Sequence, residues 1–466
     1  MARVRRLPSV RLGFGLAFVA ASFSFVVATI APHHLNMFWQ IPDGEEILRG
    51  HIPTTIPYAI SAGPLVSQEW LYEAAMAWFA LHHAYGAFAL ICALAAGATP
   101  LLTYAVVRAF GVADVTAGIA AFLTLGSRFA GSATRPETFA VDAFALMLYL
   151  LARGRGTIWL VPTVVLWANL HASVVLAPFI ALTFASCQIF AHRAVDTTVR
   201  RSLWATAAIT LSTLVTPLGF GLWSYAFALA VAPNPTREHL DAWRALAFDV
   251  PGVVTGVLPG LLVLICCGAI VRRRFAPELA IASIWFVVTL AHERYAMFLS
   301  VAWATVIARS LDVRTPISRF STMRPQASIV ALFPIALYVI FVGVRVLGTS
   351  LEPAGVWQNA ARLARDNRLS GNTYAPYVWA AYLHWQKLPL RLLIDGHGDP
   401  YPRDVWNDHL ALENVRPNWR EVLTRRSIRV VIVPDDTPLA AALSLDRSWS
   451  VVEKRSGIDA FALKTF

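Results

Sequence analysis

The stretch Leu12–Ala31, LGFGLAFVAASFSFVVATIA, carries no charged side chain. An α-helix of about 20 such residues is about 30 Å long, the apolar thickness of a bilayer. Arg3, Arg5, Arg6 and Arg11 precede it. A basic start followed by an apolar run is also the form of a signal peptide. The length here favours an uncleaved first membrane helix. The whole chain agrees with that class. Of 466 residues, 57% are hydrophobic and 14% charged, against about 25% charged in soluble chains. Mean hydropathy is +0.56. These values exclude a soluble enzyme, a disordered chain and a small disulfide scaffold. Cys92, Cys187, Cys266 and Cys267 all sit in apolar runs, so no disulfide framework or CxxC spacing is present.

Further apolar runs lie at 86–107, 112–129, 138–152, 202–217, 252–271, 277–291, 295–308 and 328–348, and 157–191 is long enough for two crossings with a bend. With the first run, this predicts a mainly α polytopic membrane protein of about 11 transmembrane helices. The segment 70–84 could span or lie in the interface. Arginine placement decides. If 70–84 does not span and the N-terminus is cytoplasmic, the outer connections carry only Arg49, Arg128, Arg135, Arg237, Arg244 and Arg294. The inner ones carry the four N-terminal arginines, Arg108, Arg153, Arg155, Arg193, Arg200, Arg201, Arg272, Arg273, Arg274, Arg309, Arg314, Arg319 and Arg324. That bias is the positive-inside pattern, and it would be lost if 70–84 crossed. The net charge of +11 therefore reads as topology signal, with no nucleic-acid partner implied.

From Ser350 the chain turns polar, and β-like stretches at Leu390–Asp395, Ile428–Val433, Trp449–Glu453 and Asp459–Leu463 alternate with helical patterns such as Val356–Arg368 and Trp419–Arg426. This predicts a transmembrane domain over 1–349, with a long first outer loop at 32–69, and a small C-terminal α/β domain over 350–466 on the outer side. The expected location is a bacterial inner (plasma) membrane, with the N-terminus cytoplasmic.

Under this topology five polar clusters fall on the outer side. They are the loop 32–69 with Asp43, Glu45, Glu46 and Glu69; ATRPET with Arg135 and Glu137; WANLHAS with Asn169 and His171; TPLGFGLW with the loop after it, bearing Glu238, His239 and Asp241; and AHERYAMF with His292, Glu293 and Arg294. Ionisable residues at membrane depth are costly and point to function. Arginine and histidine at helix mouths suit a phosphate. Carboxylates suit a general base or a shared divalent metal. Trp39 and Trp70 could stack on a sugar ring. The clusters describe a site for a phosphorylated lipid and a polar second substrate, among membrane lipids.

A long acidic first outer loop, about eleven spans and an outer soluble domain resemble the GT-C superfamily of membrane glycosyltransferases. Within it, the chain is similar to a bacterial subgroup by Asn36–Gly44 (NMFWQIPDG), Ile52–Ser61 (IPTTIPYAIS), Gln68–Leu71 (QEWL), Thr134–Glu137 (TRPE), Trp167–Ala172 (WANLHA), Thr216–Gly219 (TPLG) and Ile394–Tyr401 (IDGHGDPY). The resemblance implies a polyprenyl-phosphate sugar as donor, a glycan, lipid or protein as acceptor, and inversion at the anomeric carbon. It implies donor-phosphate or site-shaping roles for Arg135, Asn169 and His171. Two positions depart from the pattern: Asn36 stands where the subgroup has an acid, and Gln40 where it has histidine. The acceptor-activating carboxylate then falls to Glu69, Asp43 or Glu45, with Glu69 kept by the QEWL match. Glu137, His292, Arg294, Trp39 and Trp70 complete the candidate substrate-binding set. No cofactor motif is present, and a divalent metal is left open. Three other readings stay open: a lipid-linked polysaccharide polymerase or ligase, a transporter, and a catalytically inactive scaffold of the same fold.

Overall fold

The computed structural model describes residues 11–30, 36–125, 134–192, 195–231, 235–239, 277–311, 325–352, 355–455 and 457–464. The expected span 252–271 and Asp241 lie outside them. In chain order the helices begin with α1 (Leu12–Ile30), α2 (Met37–Leu48), α3 (Trp70–Leu81), α4 (Tyr85–Ala109) and α5 (Asp114–Phe122). There follow α6 (Pro136–Arg153), α7 (Leu160–Leu170), α8 (Ala177–His192), α9 (Thr197–Ser212), α10 (Gly221–Val231) and α11 (Pro235–His239). Next are α12 (Pro277–Ala291), α13 (Ala296–Leu311) and α14 (Pro325–Leu347). Two compact units result. One takes in Met1–Pro32, Gly86–Val231 and His239–Thr349; the other takes in His33–Tyr85, Ala232–Glu238 and Ser350–Phe466.

The first unit is helical. Its core is aromatic: the Trp285 and Phe298 rings stack 4.4 Å apart, and Phe144 meets Trp285 edge-on at 5.2 Å. Its outer faces are apolar too, as at Phe333, Ile340, Phe341 and Val344 of α14, all well exposed. Helices apolar on every side belong in an apolar surrounding. Three stretches, Leu12–Ile30, Tyr85–Ala109 and Ala172–Ala191, are long and apolar enough to cross a membrane. Helices also stand at each other expected span within the described residues. The helix α10, on a stretch not expected to be helical throughout, adds to the set.

The second unit holds α2 and α3, joined by close packing at Gly44. A Cβ there would lie 2.1 Å from the carbonyl oxygen of Glu73, so only glycine permits the approach. The ambiguous segment 70–84 forms α3, whose 12 residues extend about 18 Å, well short of a bilayer. The rest of the unit is an α/β fold with β1 (Gly371–Tyr374), β2 (Leu390–Leu392), β3 (Val430–Pro434), β4 (Trp449–Arg455) and β5 (Ile458–Leu463) in the order β2-β1-β3-β5-β4. Strand β1 pairs parallel with β2 and β3, while β5 pairs antiparallel with β3 and β4. The helices α15 (Val356–Asp366), α16 (Tyr377–Trp385), α17 (Arg403–Glu413), α18 (Trp419–Arg425) and α19 (Pro438–Leu445) connect and cover it. The loop around Ala59 extends this sheet. Ala59 bridges Leu392 in parallel, and the Leu392 N–H donates to the Tyr58 carbonyl at 2.8 Å. Residues more than 300 positions apart thus share one backbone ladder.

Candidate functional site

Within the second unit, one buried chain of polar groups joins α2 to the motif Ile394–Tyr401. His397 is its centre. Its Nε2 donates to Asp43 Oδ2 at 3.0 Å, and its Nδ1 donates to Asp395 Oδ1 at 2.9 Å. Both nitrogens face carboxylates, so both carry protons and the ring is an imidazolium. Burial alone would lower its pKa, but Asp395 and Asp43 outweigh burial and lift it to about 10. Asp395, fully buried, also accepts from the Tyr401 hydroxyl at 2.9 Å, from the Tyr58 hydroxyl, and from the His397 backbone N–H at 3.1 Å. Burial would raise the Asp395 carboxyl, yet the His397 charge and these donors hold it down at about 2. Burial and the Asp395 charge push the Tyr58 and Tyr401 hydroxyls up, which keeps them neutral donors. The Trp39 ring lies 4.4 Å from the imidazolium, in cation–π range. Gly396 makes room for it: a Cβ there would sit 2.8 Å from Trp39 Cδ1.

Glu69 precedes α3 and is buried. Gln40 Nε2 donates to its Oε1 at 2.6 Å and Gln68 Nε2 to its Oε2 at 3.0 Å. Gln40 on α2 is therefore one of the residues that orient Glu69. One turn on, Glu73 is also buried, and its Oε2 makes no hydrogen bond among the described residues. Burial, then the charges of Asp43 and Glu69, push its carboxyl well above the usual carboxylate range. Glu73 escaped the sequence reading. Its spacing of four from Glu69 on one helix face was the available signal. His397 escaped too, inside a motif that reads as a turn. Glu45 behaves differently from its neighbours: it pairs with Arg49 at 3.1 Å and Lys387 at 3.8 Å. Trp70 is half-buried at the first position of α3.

The first unit holds a second cluster. Arg135 is extended just before α6, and Pro136 takes the first helical position, where its missing N–H costs nothing. Glu137 follows, buried, and accepts from Arg294 Nη2. Its Oε2 makes no hydrogen bond among the described residues. His171 marks the break after α7. Its Nδ1 accepts from the Ser173 backbone N–H at 3.1 Å, and its Nε2 stands 3.9 Å from Glu137 Oε1. Trp167 Nε1 donates to Ser173 Oγ at 3.0 Å. So Glu137, His171 and Arg294 come together. Asn169 Nδ2 donates to the carbonyls of Val165 at 2.7 Å and Val215 at 2.8 Å. His292 lies just past α12, its ring edge-on to Tyr295 at 6.1 Å. Among the described residues of both units, no three His, Cys, Asp or Glu side chains are grouped to hold a metal ion.

Solved structures of an oligosaccharyltransferase from Archaeoglobus fulgidus superpose on this architecture. One is tethered to an acceptor peptide containing the NVT sequon and matches with a TM-score of 0.55. Another is in complex with an inhibitory peptide and a dolichol-phosphate, and a third is the apo form, both with a TM-score of 0.53. The chain shares its fold with the archaeal oligosaccharyltransferase AglB. Identity is 11%, over 90% of this chain and 69% of the archaeal one. No protein-family profile and no curated protein sequence matches the chain. The similarity is thus one of fold.

Proposed function

We propose that this chain is a membrane glycosyltransferase that moves a sugar from a polyprenyl-phosphate donor to an acceptor at the outer face of the membrane. The shared fold with AglB carries the reading, since that protein has been captured with a dolichol-phosphate and with an acceptor peptide. The proposed topology keeps eleven spans, a cytoplasmic N-terminus and an outer C-terminal domain over 350–466, in a bacterial inner membrane. Glu69 is the proposed base. Gln40 and Gln68 each donate to one of its two carboxylate oxygens, which fixes the direction of the group. The acceptor hydroxyl gives its proton to Glu69 and bonds to the anomeric carbon. The bond from that carbon to the phosphate oxygen breaks, and polyprenyl phosphate leaves. Arg135 and Arg294 are the proposed phosphate holders; a guanidinium offers five N–H donors, enough for a carboxylate and a phosphate together. Trp39 packs on His397, so Trp70 is the better candidate for sugar stacking.

A second reading is a non-catalytic member of the fold. The observation favouring it is that Asp43 is committed to His397, while Asn36 replaces an acid. The test is transfer by purified full-length protein from radiolabelled undecaprenyl-phosphate hexoses to endogenous lipid and glycan acceptors. Glu69→Gln is expected to lose about 10²–10⁴-fold, the usual contribution of a general base. Arg135→Ala is expected to lose about 10²-fold as charge stabilisation is removed. No transfer with any donor, or equal transfer in both variants, would leave the non-catalytic reading standing.

A further inference from the structure

The second unit contains an ion pair that spans 354 positions of sequence. Asp43 lies on α2, in the first outer loop, and His397 in the turn after β2. We propose that Asp43 and His397 form a positioning pair that holds the α2–α3 helices, and with them Glu69, and that neither acts as the acid or base itself. This rests on the glycosyl-transfer reading for its catalytic consequence, though not for its structural one.

Four observations carry it. First, His397 has both nitrogens donated to carboxylates, at 3.0 and 2.9 Å, and so has no lone pair with which to take a proton. Second, Asp43 Oδ2 already accepts from that cation, and protonating Asp43 would break a buried ion pair. Third, the anchor is rigid. Asp395 is fully buried and takes two tyrosine hydroxyls and a backbone N–H besides His397. Fourth, α2 bears on Glu69 directly: Gln40, three residues before Asp43, donates to Glu69 at 2.6 Å. A shift of α2 would therefore move the amide that orients the proposed base. The charged and titratable groups acting on His397 are Asp395 from its own turn, Asp43 from α2, Glu73 from α3 and His384 from α16. Of these, Asp43 and Asp395 make the hydrogen bonds. Burial and the neighbouring carboxylates push the Glu73 carboxyl up, and burial lowers the pKa of His384 to about 4, so that the His384 ring is neutral at pH 7.

The experiment compares full-length wild type with Asp43→Asn, His397→Gln and the double variant. Two readouts are taken: hydrogen exchange in residues 37–48 and 70–81, and transfer from labelled undecaprenyl-phosphate hexoses. His397→Gln leaves a buried carboxylate without its counter-charge and should raise exchange about 10-fold or more in both segments. The double variant removes both charges and should recover exchange to within about threefold of wild type. Transfer should follow exchange, lost about 10-fold or more in His397→Gln and regained in the double variant to within about 10-fold of wild type. A double variant with restored exchange but no transfer would make Asp43 the base and overturn the proposal. Unchanged exchange in His397→Gln would overturn it as well. If His397→Gln fails to fold, the milder Asp43→Asn decides: exchange raised in 37–48 supports the pair, and exchange equal to wild type overturns it. Wild type inactive with every donor, with exchange behaving as expected, would refute the glycosyl-transfer reading and keep the positioning pair.

Discussion

The two polar clusters solve the same problem differently. In the second unit Asp43, His397 and Asp395 form a chain in which every member has a hydrogen-bonding partner, and Asp395 has four donor groups. In the first unit Glu137 accepts from Arg294 through one oxygen, while the other makes no hydrogen bond among the described residues. A satisfied buried network fixes geometry. A carboxylate with an oxygen in reserve beside an arginine keeps the means to respond to a new ligand. In the second unit it is Glu73, outside the Asp43–His397–Asp395 chain, whose Oε2 makes no hydrogen bond among the described residues.

Substitutions should separate the two. His397→Ala should have the largest effect, destabilising the second unit by about 3–5 kcal/mol because two buried carboxylates lose their shared cation; thermal unfolding measures it. Titration of the same unit gives the next test. His397 is raised to about 10, above its unfolded value, so its contribution is complete below about pH 6.5 and disappears as pH rises through about 10. Asp395 is lowered to about 2, so its contribution holds above about pH 4 and is lost as pH falls through about 2. His384, lowered to about 4, stabilises above about pH 6.5 and loses that contribution as pH falls to about 4. Stability should therefore decline on both sides of neutrality, and His397→Ala should remove the alkaline limb and weaken the acid limb that Asp395 contributes, because the His397 charge is what chiefly lowers that carboxyl. Glu137→Gln should cost less, about 1–3 kcal/mol, because the amide oxygen still accepts from Arg294. Asn169→Ala should cost about 1 kcal/mol per backbone bond lost, without altering donor affinity; a change in donor affinity would return Asn169 to the ligand site.

Much of this was readable from residues. The apolar runs placed most helices of the first unit, three of which are long and apolar enough to cross a membrane. Pro136 and the strands β2, β3, β4 and β5 lay close to where local chemistry puts them. Strand β1, GNTY, was missed: four residues without an apolar run owe their strand to neighbours on both sides. The helix α2 was hidden by Pro42 and Gly44, which locally argue against helix and are accommodated by packing on α3. Glu137, His171 and Arg294, which lie in three separate polar clusters of the sequence, come together in the first unit. The link from Asp43 to His397 could not be read from the residues, because its partners are 354 positions apart and no spacing rule reaches that far. Glu73 and His397 appear only once the chain is folded.

The most direct test of the account is a paired measurement of donor affinity and transfer rate for wild type, Glu69→Gln and Arg294→Gln, using one labelled undecaprenyl-phosphate hexose that wild type turns over. The account predicts that Glu69→Gln binds the donor as wild type does and transfers about 10²-fold or more slowly. It predicts that Arg294→Gln loses donor affinity by about 10-fold or more. Full transfer by Glu69→Gln, or unchanged donor binding by Arg294→Gln, would contradict it.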